Sequence, residues 1–95
     1  MSKKDAYIEK AQAQIDEFTA QIDLLNAKIE KQVADQKIEA QKQLDKMEAN
    51  LKKAQARLLE ISDSAEDSWE DMATRFETLA EEVGESVKKF WSVNK

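Results

Sequence analysis

With 95 residues, 41% hydrophobic and 37% charged, and a formal net charge of −5, the chain is more polar than an ordinary globular domain of its size, so its private core is thin. It has no Cys and no His, which removes disulfides, zinc sites, thiol nucleophiles and the usual proton shuttle near neutral pH. With no Pro, a single Gly (Gly84) and an abundance of Ala, Glu, Lys, Gln and Leu, it is read as all-α.

The start, Met1 to Asp5, leads into an amphipathic pattern and not into an uninterrupted apolar stretch, so no signal peptide is expected. No window approaches the roughly 20 apolar residues that span a bilayer, and a cytoplasmic location is the expectation. From there Ile8, Ala11, Ile15, Phe18, Ile22, Leu25 and Ile29 alternate steps of three and four, an a/d heptad seam over three repeats. A second seam follows in shifted phase: Ala40, Leu44, Met47, Leu51, Ala54, Leu58 and Ile61.

Between the seams, Ile29, Val33, Lys37 and Ala40 step by four, four and three, an eleven-residue spacing that relaxes a supercoil without ending the helix. The alternative is an αα-hairpin turning near residues 33–37, with Asp35 as N-cap of a second helix. Two seams of nearly equal length suit an antiparallel pair. Residues 28–42 contain no Gly, Pro, Asn or Ser to make a turn, however, and this favours one helix from about Lys4 to Ile61, on the order of 85 Å long.

A firmer break is expected at Ser62-Asp63-Ser64, whose side chains compete with helix, with Ser64 and Asp67 in a capping-box-like arrangement. A third helix is predicted from Ser64 to about Trp91, its stripe formed by Trp69, Met72, Phe76, Leu79, Val83, Val87 and Phe90. Gly84 falls within that stripe, either as a site of close packing or as a weak point. The chain thus divides into a coiled-coil region, 1–61, and an acidic amphipathic helix with a short basic tail, 62–95.

Charge follows the same division. Residues 1–61 balance eleven acids against eleven bases; residues 62–86 carry nine acids and Arg75 alone; the tail bears Lys88, Lys89 and Lys95 and no acid. On the third helix the pairs Glu66–Glu70, Asp67–Asp71, Glu77–Glu81 and Glu81–Glu85 stand at i,i+4 and repel by roughly a few tenths of a kcal/mol each. This helix must therefore lean on packing of its apolar stripe. Its carboxylates are read as a solvated face in preference to a calcium site, since no Asp-x-Asp-x-Asp-Gly loop is present.

No cofactor and no catalytic residue is expected: acid–base work needs a pocket that separates two pKa values, and a helical di-metal site needs a His the chain lacks. Nucleic-acid binding needs a basic stripe, whereas here lysines alternate with acids. The expected function is that of a structural or interaction protein, not an enzyme. It self-associates through its seams (Ile8, Ile15, Phe18, Ile22, Leu25, Ile29, Leu44, Met47, Leu51, Leu58, Ile61), the partner being a second copy or another helical protein. The stripe Trp69, Met72, Phe76, Leu79, Val83, Val87, Phe90 and Trp91 is a core or partner face, best suited to folding back on the second seam, where Ala40 and Ala54 leave room. The alternative is a surface-coating protein that lays this third helix on lipid or storage-polymer granules, with Phe90 and Trp91 beside Lys88 and Lys89 as an anchor.

The stretches KDAYIEKAQAQIDEF, AQIDLLNAKIEK, ADQKIEAQKQLDK and SAEDSWEDM resemble small bacterial coiled-coil-domain proteins over most of the chain. The resemblance implies a bacterial cytosolic origin and no activity, and it transfers no functional residue. The last stretch, FETLAEEVGESVKKFW, is similar to the amphipathic helices of granule-coating phasins.

Overall fold

The computed structural model describes residues 2–65 and 67–93, and three helices follow one another within them: α1 (Lys3–Glu30), α2 (Ala34–Asp63) and α3 (Trp69–Val93). The chain is all-α, a helical hairpin followed by a C-terminal helix that packs against both arms. Ser2 starts α1 with an extended backbone (φ −77°, ψ 164°), and its Oγ accepts the Asp5 N–H at 3.1 Å. The three rods form a bundle 50 × 18 × 18 Å, whose radius of gyration of 15.3 Å exceeds the roughly 12 Å of a round domain of this length.

The unbroken helix favoured by the sequence does not form. Helix α1 stops at Glu30, the Lys31 N–H bonds back to Lys28 O and Ile29 O, and the Gln32 N–H reaches Ile29 O at 3.0 Å. Val33 is extended (φ −69°, ψ 157°), and Lys37 N–H to Val33 O at 2.9 Å opens the first turn of α2. Val33 is thus the N-cap residue, not Asp35, and it offers no side-chain acceptor. Burial decides against the straight helix. Ile15, Leu25, Ile29, Leu44 and Ile61 are each 2% exposed or less, and burying such a side chain is worth roughly 1.5–3 kcal/mol. A turn forgoes only a few helical hydrogen bonds of about 0.5–1.5 kcal/mol each.

The second break also falls differently from the expected pattern. Helix α2 continues through Asp63, and Ser64 ends it: its extended backbone (φ −77°, ψ 160°) turns the chain while its N–H and Oγ both donate to Ile61 O, at 3.2 and 2.6 Å. Ser64 therefore closes the helix before it and does not open the one after, and α3 begins five residues later than expected, at Trp69. Its other end, expected near Trp91, reaches Val93. Glu66, one of the predicted repelling carboxylates, lies outside the described residues.

The core is a single apolar column. From α1 it takes Ala11, Ile15, Ile22, Leu25 and Ile29; from α2 the whole second seam; from α3 Ala73, Phe76, Ala80, Val83, Val87 and Phe90. On α3 the buried line runs through Ala73 and Ala80, while Met72 and Leu79 sit one position aside, half-buried. The small alanines let α3 approach the other helices closely, and the longer side chains cover the seam from its edge.

Candidate interaction site

Of the predicted seam, Ile15, Ile22, Leu25, Ile29, Leu44, Met47, Leu51, Leu58 and Ile61 are buried, and Ile8 and Phe18 are half-buried against the same core. These side chains face one another inside one chain. Of the α3 face, Phe76, Val83, Val87 and Phe90 are buried, and Trp69, Met72, Leu79 and Trp91 are half-buried. The predicted faces of all three helices are thus brought together in one column, and no buried polar or charged side chain interrupts it among the described residues.

Polar detail concentrates where α1 meets α3. The Tyr7 hydroxyl donates to Ala73 O at 3.1 Å and to Glu77 Oε1 at 3.3 Å, while its ring packs on Trp69 (5.3 Å between centroids) and edge-on to Phe76 (6.2 Å). Burial, and after it the neighbouring Glu77 carboxylate, pushes the Tyr7 hydroxyl from its ordinary 10 up to about 12. Farther along, Phe18 lies over Gly84, and Lys28 Nζ stands 4.8 Å from the centroid of the Trp91 ring. Three rungs, at Tyr7, Phe18 and Lys28, thus pair α1 with α3 in parallel. At the foot of the bundle, Lys4 Nζ donates to Ser64 O at 2.7 Å, holding the start of α1 to the end of α2.

Tyr7 is the titratable aromatic of this set, yet its raised pKa keeps the hydroxyl protonated and makes it a poor proton donor, and that hydroxyl is shared between two acceptors. Among the described residues no three His, Cys, Asp or Glu side chains converge as metal ligands, and no helix is long and apolar enough to cross a membrane.

What the outer surface offers instead is apolar. Leu24, Val33, Ile38 and Leu59 are 60–67% exposed. Leu24, in the last turns of α1, and Ile38, in the first turns of α2, stand on either side of the 31–33 turn, and Val33 lies within it; Leu59 flanks the α1–α2 groove beside Ile8 and Leu58. None of Leu24, Ile38 and Leu59 was singled out by periodicity. The signal was available: each is a large apolar residue falling outside the three-four pattern, and Leu24 and Leu59 stand directly beside seam positions.

Comparison with protein-family models, with curated proteins and with solved structures finds no match to this chain.

Proposed function

We propose that this protein is a non-catalytic structural or interaction module that self-associates through its heptad seams, with another helical protein as the alternative partner. The observation that carries this is the distribution of apolar side chains. Almost every large one lies on a three-four seam that any antiparallel helix of the same pattern can cover, and of the four left over, Leu24, Val33 and Ile38 form or flank the turn that joins two seams, while Leu59 stands near the far end of α2. The resemblance to bacterial coiled-coil-domain proteins supports a bacterial cytoplasmic setting for the same module.

The test is mass in solution by light scattering across concentrations up to about 1 mM, since association responds to mass action. A reversible rise from 10.9 kDa toward twice that value is the expected result. A constant monomer mass overturns the reading.

A second reading, adsorption to lipid or storage-polymer granules through α3, is favoured by one observation: four of the six aromatics, Trp69, Phe76, Phe90 and Trp91, lie on that helix. Phe76 and Phe90 are buried, so adsorption requires α3 to lift from the hairpin. A blue shift of Trp fluorescence on adding neutral vesicles or granules to the monomer supports this reading, and an unchanged spectrum removes it.

A further inference from the structure

The turn at residues 31–33 contains no turn-forming residue: Lys31 and Gln32 favour helix, and Val33 is a helix former of middling propensity. Between Glu30 and Asp35 stand Lys, Gln, Val and Ala, with no Gly, Pro, Asn or Ser. No described residue adopts a left-handed backbone there, and the N-cap side chain, Val33, caps nothing. The apolar line does not stop at the turn either. Ile29, Val33, Lys37 and Ala40 carry it across with eleven-residue spacing, so that straightening the chain would place Val33, now 65% exposed, back on the seam.

Only burial of the two seams bends the chain, and a second copy supplies the same burial with the helix straight. We propose that two copies of this chain exchange arms. Residues 3–63 become one helix in each copy, and the two long helices run antiparallel. Helix α1 of each packs on α2 and α3 of the other, reproducing between copies the contacts of Tyr7 with Trp69 and of Phe18 with Gly84. Antiparallel pairing in the hairpin register puts the turn opposite its own mate, so the two Val33 side chains meet near the two-fold axis and become buried. Exchange costs no core contact and removes an uncapped helix start. This rests on the self-association reading above and names its interface.

Light scattering combined with small-angle X-ray scattering on the full chain tests it. The associated species should have twice the monomer mass and a maximum dimension of roughly 90 Å, the length of an unbroken Lys3–Asp63 helix, against 50 Å for the single bundle. The variant Val33→Asp separates the two forms. In the hairpin it gives α2 the side-chain cap it lacks; in the exchanged dimer it sets two carboxylates against each other at the axis. Dimer formation should therefore fall roughly tenfold or more while the monomer's melting temperature holds or rises. Inserting Gly-Gly between Gln32 and Val33, which relaxes the hairpin and breaks the straight helix, should likewise leave folded monomer. A compact dimer near 50 Å that persists in both variants overturns the exchange and the use of the seams between copies, and leaves only self-association through the outer faces of intact bundles. A monomer at every concentration overturns both.

Discussion

Gly84 shows how a single position can be ambiguous in one dimension and plain in three. It sits inside α3 with an ordinary helical backbone, and a Cβ built there meets Phe18 Cζ at 3.6 Å, an easy van der Waals contact. The residue is thus a weak point in the helix and not a device for close packing. Gly84→Ala should raise stability by about 0.5–1 kcal/mol by reducing the freedom of the unfolded chain; a lowered midpoint in urea would show that the Phe18 contact has no room to give. Tyr7 is the opposite case, a polar atom placed with purpose at an apolar junction. Tyr7→Phe should cost about 0.5–1.5 kcal/mol through the lost bonds to Ala73 and Glu77. Because the folded chain raises this pKa from 10 to about 12, it favours the neutral hydroxyl. That contribution is whole below pH 10 and disappears as the pH rises toward 12. Over this window wild type should lose stability more steeply than Tyr7→Phe in thermal melts followed by circular dichroism, and parallel losses would remove the assignment.

At the scale of the element, each helix obeys its own periodicity, but the ends are set by different means. Ser2 caps α1 and Ser64 closes α2, both through hydroxyl bonds to backbone groups within one turn. The start of α2 has no such device. Val33→Asp, besides weakening association, should stabilise the single bundle by about 0.5–2 kcal/mol through the side-chain cap it supplies. A smaller lesson comes from α3. Its predicted stripe included Met72 and Leu79, whereas the buried line passes through Ala73 and Ala80. Large side chains dominate a periodicity count, yet where three helices meet, the narrowest gaps take the smallest residues. The repelling carboxylates of α3, Glu77, Glu81 and Glu85, remain exposed, with Glu77 and Glu81 along the groove beside α1, and the buried Phe76, Val83, Val87 and Phe90 offset them.

The whole molecule is a thin rod with one apolar column, and its stability rests on few residues. Phe76 is 1% exposed and touches the core from α3 while supporting the Tyr7 ring, so Phe76→Ala should cost about 3–5 kcal/mol. That is a large part of the 5–15 kcal/mol typical of a domain. Leu59→Ala, at a position 67% exposed, should change the unfolding free energy by about 0.5 kcal/mol or less. If the two variants melted alike, the column would not be what holds the bundle. The ion pair Arg57–Glu60, both side chains at least 40% exposed, adds little to this balance.

Composition and periodicity alone were enough to determine an all-α chain, two seams with their registers, the presence of a second break though not its place, and an apolar stripe on a third helix, because a helix repeats every 3.6 residues whatever it packs against. Leu44, Met47 and Leu51 could be assigned to a core from spacing alone. The turn at 31–33 could not be read this way, since it holds no turn-forming residue and the chain bends only because the seam of α1, with Ile15, Leu25 and Ile29, and that of α2, with Leu44 and Ile61, share one core. Nor could the pairing of Tyr7 with Ala73 and Glu77, separated by 66 and 70 residues. Local propensity is written in neighbouring residues. Which helix covers which seam is decided by burial between distant ones, and for this chain the same seams can be covered from within or by a second copy.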